Sequence, residues 1–378
     1  MVKKSKVLKY IQTSDNHFGH RRTPMKHLAA NFIKSILTKE NSDAHILFIA
    51  GDLFDRPVEP GSEDMLVFLT FANDLLNYCY KNDILLRVME GTPSHDWLQP
   101  KMLVYLNNFR ENKVDLRYFD VLDIEYIERY NINVLYIPDE WCDDHIELER
   151  QIDDKLRERS ISQVDIAILH GFFEYQLAGI PYNGFRFDSN YFHRIVKGYI
   201  HIGHVHTHSN FDRIIASGSL DRLVHGEEEE KGYVVVTGDE WEFVPNKDAF
   251  IYKTLVLTKR DTYSTLDKKI SAYPVGSHIR LRMAKDHPFN IGFSEVRLRY
   301  PDYHITKKIN SELENDRVTD IINEEFNMHE FDFVSVNLKE LVIERIKARE
   351  TLTSTEEGKL DEYLEVFRGS ENKEQDLD

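Results

Sequence analysis

The sequence is poor in cysteine and lacks a long hydrophobic run, and each absence narrows the class of protein. Among 378 residues there are two cysteines, Cys79 and Cys142, in unrelated surroundings. This predicts neither a disulfide framework nor a thiolate zinc site, so any metal must be held by histidine and carboxylate. No stretch approaches the ~18 uninterrupted apolar residues of a membrane span, and the first six residues lead into a strand-like segment instead of a signal sequence. We therefore expect a cytoplasmic protein that does not enter the membrane.

Basic residues are outnumbered by acidic ones, with 48 Lys and Arg against 65 Asp and Glu. The formal net charge is −17, whereas DNA-binding domains usually present a net basic face. This argues against nucleic acid as a partner but does not exclude it, because bound cations reverse the local sign of a site and a partner subunit can supply phosphate contacts. The hydrophobic fraction of 41% is enough for one large domain and a smaller one.

Residues 1–244 are predicted to form one large domain. Between Val7 and about Val236, short β-like runs alternate with longer helical patterns, which predicts an α/β or layered α+β fold. The strand candidates are Val7–Thr13, Ile46–Ala50, Ile84–Met89, Asn133–Ile137, Asp165–Leu169, Gly198–Ile202 and Tyr233–Thr237. The helix candidates are Met25–Lys39, Ser62–Tyr80 and Ile146–Arg159.

The pattern changes after Pro245. Strand-like segments at Thr254–Leu257, His278–Met283 and Glu295–Arg299, followed by a charge-rich stretch, predict a smaller α+β domain over residues 245–336. Residues 337–378 carry two apolar stripes at helical spacing. The second stripe consists of Leu360, Tyr363, Leu364 and Phe367. This face either packs on its own domain or binds a partner.

Polar clusters stand at the end of five strand candidates. They are Asp15-Asn16-His17, Gly51-Asp52-Leu53-Phe54-Asp55, Gly91-Thr92-Pro93-Ser94-His95-Asp96, His170-Gly171 and Gly203-His204-Val205-His206. Because ligands bind beyond the carboxyl ends of strands in open α/β sheets, the five clusters should converge on one site. Carboxylate and imidazole suit manganese, iron or zinc. A carboxylate such as Asp52 can bridge two cations ~3.5–4 Å apart, the arrangement that clamps a phosphoryl group.

These motifs, in this order, resemble the calcineurin-like metallophosphoesterases, whose signatures are Asp-x-His, Gly-Asp-x-x-Asp, Gly-Asn-His-Asp/Glu, a lone His and Gly-His-x-His. The following segment narrows the resemblance. Ala216-Ser217-Gly218-Ser219-Leu220-Asp221-Arg222, then Gly226-Glu227 and Lys231-Gly232-Tyr233, are similar to the SbcD-type, or meiotic-recombination-eleven, DNA-repair exonucleases. The match covers the first domain well and the rest only in layout. The resemblance implies a two-sheet sandwich flanked by helices, with a capping domain.

The resemblance also implies roles for the motif residues. One cation would be held by Asp15, His17, Asp52 and His206, and a second by Asp52, His170 and His204, with Mn²⁺ as the expected metal. His95 would protonate the leaving oxygen or stabilise developing charge, with Asp96 orienting it. Arg21 and Arg22, after the first motif, either contact phosphates or form a solvated surface.

The third motif departs from the family pattern. Where Gly-Asn-His is usual, the chain has Gly91-Thr92-Pro93-Ser94-His95, so the amide ligand is missing. Three possibilities stay open for the second cation: Ser94 substitutes through its hydroxyl or carbonyl, water fills the position, or the site is weak.

By resemblance, the chain is a DNA exonuclease and endonuclease acting at double-strand ends. It would be the nuclease subunit, homodimeric, of a complex with an SMC-like ATPase docked on the C-terminal helices, in a cell or, for a phage protein, in its host. Two alternatives remain: a phosphomonoesterase or small-molecule phosphodiesterase of the same superfamily, and a non-catalytic scaffold with an impaired second metal site.

Overall fold

The computed structural model describes residues 7–139, 142, 144–177 and 185–309. Its strands are β1 (Lys9–Thr13), β2 (Ile46–Ala50), β3 (Leu85–Met89), β4 (Leu116–Phe119), β5 (Asp123–Ile127), β6 (Ile132–Ile137), β7 (Ile166–His170), β8 (Ile200–Gly203), β9 (Ser209–Phe211), β10 (Ile214–Ala216), β11 (Gly232–Thr237), β12 (Glu240–Pro245), β13 (Tyr252–Val256), β14 (His278–Met283) and β15 (His304–Ile309). Its α-helices are α1 (Met25–Ile36), α2 (Glu63–Asn82), α3 (Pro93–Asp96), α4 (Met102–Asn108), α5 (His145–Glu158), α6 (Ser189–Ile195), α7 (Tyr263–Ile270), α8 (Pro288–Ile291) and α9 (Phe293–Arg299). Short 3₁₀ turns cover Gln99–Lys101 and Glu174–Leu177.

Two six-stranded mixed sheets form an α/β sandwich, which confirms the predicted fold class. The first sheet has the order β12-β11-β1-β2-β3-β4, and the second has the order β5-β6-β7-β8-β10-β9. Strands β1 to β4 run parallel in the first sheet, as do β6, β7, β8 and β10 in the second. The carboxyl ends of β1, β2 and β3 therefore share one edge of their sheet, and those of β6, β7 and β8 share one edge of theirs.

Hydrophobic residues fill three layers of this sandwich. One core packs the first sheet against α1, α2 and α4, and another packs the second sheet against α5 and α6. The third core lies between the two sheets, where Tyr10, Phe48 and Met89 of the first meet Tyr136 and Ile168 of the second. Both faces of β2, β3 and β7 are buried, which explains why these segments are almost entirely apolar.

A buried ion pair also joins the two sheets. Arg87 on β3 donates to both carboxylate oxygens of Glu125 on β5, at 2.8 and 2.9 Å. Arg87 also donates to the Asp115 carbonyl at 2.7 Å, and the Tyr136 hydroxyl donates to Glu125 at 3.1 Å. Because each charge has several polar partners, the pair satisfies groups that would otherwise be costly to bury.

Helix boundaries follow local capping chemistry. Ser62 accepts from the Met65 amide at 3.1 Å at the start of α2, and Asp144 accepts from the Ile146 amide at 2.8 Å at the start of α5. In contrast, α3 does not continue into α4, because Trp97 and Leu98 adopt left-handed φ values of 48° and 59°, and the chain becomes helical again only at the 3₁₀ turn that begins at Gln99. No helix in the described ranges is long and apolar enough to cross a membrane.

After β12, the chain forms a parallel three-stranded sheet in the order β13-β14-β15 with its own hydrophobic core. The prediction of a strand over Glu295–Arg299 is wrong, because this segment lies in α9. Its alternating sequence is typical of a strand, yet Leu298 is 80% exposed, and α8 and α9 make the crossover that parallel strands β14 and β15 require. The expected C-terminal helices, with Leu360, Tyr363, Leu364 and Phe367, lie outside the described residues.

Candidate metal centre

The six predicted metal ligands lie together where the carboxyl ends of the two sheets meet. Asp15 and His17 follow β1, Asp52 follows β2, His170 ends β7, and His204 and His206 follow β8. Potential ligand atoms fall into three groups within 4.8 Å: Asp15, His17 and His206; His17, Asp52 and His95; and Asp52, His170 and His204. Asp52 belongs to two groups, so its carboxylate is placed where two cations could share it.

The backbone at these ligands adopts conformations that ordinary residues rarely use. Asp15, His17, Asp52 and His204 have φ values of 51°, 48°, 49° and 98°. Left-handed backbone at non-glycine residues costs of order 1–3 kcal/mol each and is concentrated at functional sites. Four such residues in one cluster indicate that the loops are shaped for the side chains they present.

Two glycines allow the loops to approach one another. A Cβ atom on Gly51, whose φ is 85°, would lie 2.2 Å from His170 Nδ1. A Cβ atom on Gly91 would lie 2.1 Å from the Asp52 amide nitrogen and 2.2 Å from Asp52 Oδ1. No side chain fits at either position without displacing a predicted ligand.

Buried atoms with no hydrogen-bonding partner show that a cation fits this cluster. Asp15 Oδ1 accepts from the His204 amide at 2.9 Å, but its buried Oδ2 has no hydrogen bond among the described residues. His170 Nδ1 donates to the Ala50 carbonyl at 2.8 Å, and its buried Nε2 atom lies 3.2 Å from Asp52 Oδ2 without a hydrogen bond among the described residues. Burial lowers the pKa of His170, but Asp52 outweighs this and raises it well above its ordinary value. The carboxylate oxygen and the ring nitrogen therefore need a positive charge between them, which a bound cation would supply in place of the proton.

The His17 and His206 rings also bring nitrogen atoms together at a position that a cation could occupy. Their Nε2 atoms lie 2.9 Å apart, while His206 Nδ1 lies 2.9 Å from Glu227 and His17 Nδ1 lies 3.3 Å from Asp55. The Glu227 carboxylate holds the proton of His206 on Nδ1, which directs the Nε2 lone pair of that ring toward His17 Nε2. His17 Nδ1 lies near Asp55 but makes no hydrogen bond among the described residues. This carboxylate–histidine arrangement is typical of histidines that bind metal.

Glu227 is therefore part of the centre. It is 4% exposed, and its second carboxylate oxygen lies 3.2 Å from Nζ of the buried Lys231. Lys231 also donates to the His206 carbonyl at 3.0 Å. Burial raises the pKa of Glu227, but Lys231 and His206 outweigh this and lower it well below its ordinary value. The charged carboxylate can thus hold the His206 proton at any neutral pH.

The electrostatic environment keeps the carboxylate of Asp52, the shared ligand, ionised. Burial raises the pKa of Asp52, yet the imidazoles of His170 and His95 more than offset it, so the pKa lies well below the usual range. Burial lowers the pKa of His204 to about 3, which keeps its imidazole neutral and able to coordinate. Divalent cations require the anionic carboxylate and an unprotonated imidazole, so a cation bound here would displace the proton that Asp52 favours on His170.

His95 lies closer to the metal ligands than a remote proton donor would. Its Nδ1 is 3.1 Å from Asp52 Oδ2, and His95 shares a potential metal group with His17 and Asp52. Its predicted role as a proton donor, and not a ligand, stays a prediction.

Asp96 acts on the backbone. Its two carboxylate oxygens accept from the Phe54 and Gly91 amides, both at 2.8 Å, so it ties the exit of β2 to the exit of β3. Burial, together with Asp52 and Glu90, raises the pKa of Asp96. Any orienting effect on His95 would therefore act through the loop that Asp96 holds in place.

The third motif presents Thr92 to the cluster, whereas Ser94 is exposed and its carbonyl accepts from the Trp97 indole at 2.7 Å. The Thr92 hydroxyl lies 3.3 Å from Asp52 Oδ2, 3.3 Å from His204 Nδ1 and 3.1 Å from Asp139 Oδ2. Thr92 and Asp139 were not among the predicted ligands. Thr92 directly follows Gly91, and Asp139 stands two residues after β6, so the rule that selected the other ligands, position at a strand exit, also selects both.

Other predicted contacts lie outside this cluster. Arg21 and Arg22 are exposed on the loop between β1 and α1. Their contact with phosphates stays a prediction.

The fold and the site together define an α/β sandwich with buried aspartates and histidines that could hold metal ions. No family model matches the sequence, and no curated protein sequence matches it. Among the solved structures that match, one crystal structure covers 64% of this chain and 100% of its own, with 10% identity and a TM-score of 0.37. A likeness this low carries no argument about function, which must be inferred from the site itself.

Proposed function

We propose that the chain is a metal-dependent nuclease that hydrolyses DNA phosphodiesters at double-strand ends. The observation that carries the proposal is that Asp52 belongs to two potential metal groups of one buried cluster, one with His17 and His95 and one with His170 and His204. His17 links the first of these to Asp15 and His206. Two cations that share a carboxylate can hold the attacking and leaving oxygens of a phosphodiester in line. The preference for DNA rests on the resemblance of residues 15–233 to the SbcD-type exonucleases.

The proposed role of each residue follows from its charge and proton affinity. Bound divalent cations, Mn²⁺ in this proposal, would supply positive charge to the phosphate and acidify water. Asp15, Asp52 and the four histidines His17, His170, His204 and His206 would hold the cations in place. The Glu227 carboxylate keeps the His206 ring in the coordinating tautomer, and the Asp55 carboxylate lies 3.3 Å from His17 Nδ1. His95 would move a proton to the leaving sugar oxygen.

Substrate choice tests the proposal against its main alternative. End-labelled linear duplex DNA and a chromogenic aryl phosphate are each incubated with the purified chain and Mn²⁺, with and without EDTA. Mn²⁺-dependent shortening of the duplex with little aryl phosphate turnover is expected. Rapid aryl phosphate turnover with intact DNA favours a phosphomonoesterase. Absence of both activities in a chain that binds two Mn²⁺ ions favours the scaffold.

The proposed partner is an SMC-like ATPase, and this part rests on the sequence of residues 337–378, outside the described residues. Truncation after Glu350 removes the Leu360, Tyr363, Leu364 and Phe367 stripe. The truncated chain should bind metal and cleave DNA but no longer bind the ATPase in a pull-down. A sharp fall in melting temperature on truncation would instead assign the stripe to the protein's own core.

A further inference from the structure

We propose that Asp139, held by Thr92, is a ligand of the second cation and replaces the amide that the Gly91-Thr92-Pro93-Ser94-His95 motif lacks. This inference rests on the metal centre and not on the identity of the substrate. It assigns a third carboxylate to the centre, from a loop of the second sheet that none of the recognised motifs includes.

Asp139 lies at a ligand-like distance from His204. Asp139 Oδ2 lies 3.6 Å from His204 Nδ1 and 3.1 Å from the Thr92 hydroxyl, which is itself 3.3 Å from Asp52 Oδ2. Ligand atoms that bind one cation at about 2.1 Å stand roughly 3–3.5 Å apart, because they occupy the corners of a tetrahedron or octahedron around it. Asp139 Oδ2 and His204 Nδ1 thus stand at nearly this spacing, and the Thr92 hydroxyl links Asp139 to the Asp52 side of the centre.

The group formed by His170, Asp52 and His204 offers too few ligands for a divalent cation. His170 Nε2 is buried and has no hydrogen bond among the described residues, and it faces Asp52 Oδ2. His170, Asp52 and His204 provide three ligands. A divalent cation of this class takes at least four, so one protein position or water must complete the set.

Hydrogen bonds hold Thr92 between Asp52 and Asp139. Its amide donates to Asp52 Oδ1 at 2.6 Å, and its hydroxyl donates to Asp139 Oδ2 at 3.1 Å. Thr92 directly follows Gly91, at the position where the family carries the asparagine of its Gly-Asn-His motif. The threonine side chain is shorter than that of asparagine. The shorter side chain leaves space near the centre, and the Asp139 carboxylate extends into this space from the end of β6. Asp139 is 15% exposed, so it is accessible to an entering ion and largely shielded from solvent.

A carboxylate in place of a neutral amide changes the charge of the centre. Asp15, Asp52 and Asp139 would together offset three of the four positive charges of two divalent cations. Hard, oxygen-preferring ions such as Mn²⁺ gain more from this exchange than soft ones.

The test counts bound metal directly and does not depend on DNA cleavage. Mn²⁺ binding to the full chain is followed by isothermal titration calorimetry, and the spin-coupled signal of a Mn²⁺ pair is followed by electron paramagnetic resonance. The unmodified chain should bind two ions per chain with a coupled signal. Asp139→Ala should keep one ion, lose the coupled signal, and weaken binding of the second ion at least about a hundredfold, and Thr92→Val should weaken it about tenfold.

Matched variants separate this result from general damage. Asp120→Ala removes a carboxylate at the neighbouring exit of β4, where Asp120 pairs with Lys101 at 3.0 Å, and should bind two ions normally. If Asp139→Ala does not fold, Asp139→Asn preserves the shape of the side chain and should weaken the second ion through loss of charge. Unchanged binding of two coupled ions by a folded Asp139 variant would overturn the inference. Loss of the second ion with no DNA cleavage by the unmodified chain would leave the inference standing and contradict the proposed function.

Discussion

At the scale of single residues, Asp52 is the side chain that the centre can least replace. It accepts from the Thr92 amide at 2.6 Å, lies near the His170 and His95 rings, and belongs to two potential metal groups. Asp52→Asn keeps an oxygen for the Thr92 amide but loses the charge that would offset two cations. We expect the proposed nuclease activity to be absent in this variant, while circular dichroism and melting temperature of the metal-free chain stay close to normal.

Asp120→Asn is the control for this prediction, because it neutralises a carboxylate at a strand exit outside the three potential metal groups. Its activity should equal that of the unmodified chain. Substantial cleavage by Asp52→Asn would contradict the assignment of a shared ligand.

His95 is the residue for which the structure leaves two roles to separate. If it transfers a proton, His95→Ala should keep two bound Mn²⁺ ions and slow DNA cleavage by about 10²–10⁴. Because its Nδ1 lies 3.1 Å from Asp52, a direct metal bond is the competing role. Mn²⁺ counting and single-turnover cleavage of the same preparation distinguish them, since loss of an ion would make His95 a ligand.

At the scale of structural elements, the Arg87–Glu125 pair should be a main determinant of how the sheets dock. Arg87→Met leaves Glu125 buried beside Tyr136, and Glu125→Leu leaves Arg87 buried on β3. Each single substitution should lower the free energy of unfolding by about 3–5 kcal/mol, because each leaves a buried charge short of partners. The double variant should lose less than the sum of the two, as measured by urea unfolding.

The exposed Arg129–Asp83 pair provides the comparison. Its atoms lie 2.9 Å apart, but the Asp83 side chain is 83% exposed. The same double-mutant cycle there should give a coupling free energy below about 1 kcal/mol. Equal coupling for the two pairs would mean that the buried pair does not hold the sheets together.

At the scale of the whole molecule, buried histidines should make folding sensitive to acid. The pKa of His201 is lowered by burial to about 3 from an ordinary value of 6.5, and its Nε2 lies 3.0 Å from the Tyr10 hydroxyl between the sheets. Between these pH values the native state binds fewer protons than the unfolded state, so stability is present above about pH 6.5 and is lost as pH falls toward 3. Burial also lowers the pKa of His225 and His278, which adds loss of the same sign.

The expected loss from His201 is at most about 1.4 kcal/mol per pH unit. Urea unfolding of the metal-free chain between pH 7 and 4 measures it, and His201→Gln, which keeps a polar partner for Tyr10 but does not titrate, should flatten the slope. A slope that is unchanged in His201→Gln would show that this histidine does not contribute.

The sequence alone determined the elements and the order of the ligands. β2 and β14 have the predicted limits, α2 and α5 begin within one residue of their predicted starts, and the six predicted ligands all stand at strand exits in one cluster. These features depend on local physics: apolar periodicity, side-chain capping, and the turn that follows a buried strand. Such information is contained in a few neighbouring residues, so it can be extracted without knowing the fold.

Only the tertiary structure decided which distant groups meet. Thr92 lies beside Asp139, 47 residues away along the chain, and His206 lies beside Glu227 and Lys231, because the loops that carry them are brought together when the sheets pack. The α9 helix likewise replaces an expected strand because β14 and β15 pair in parallel and need a crossover. Packing and pairing depend on contacts across the whole chain, and no local sequence pattern records which partner a carboxylate or a strand edge will find.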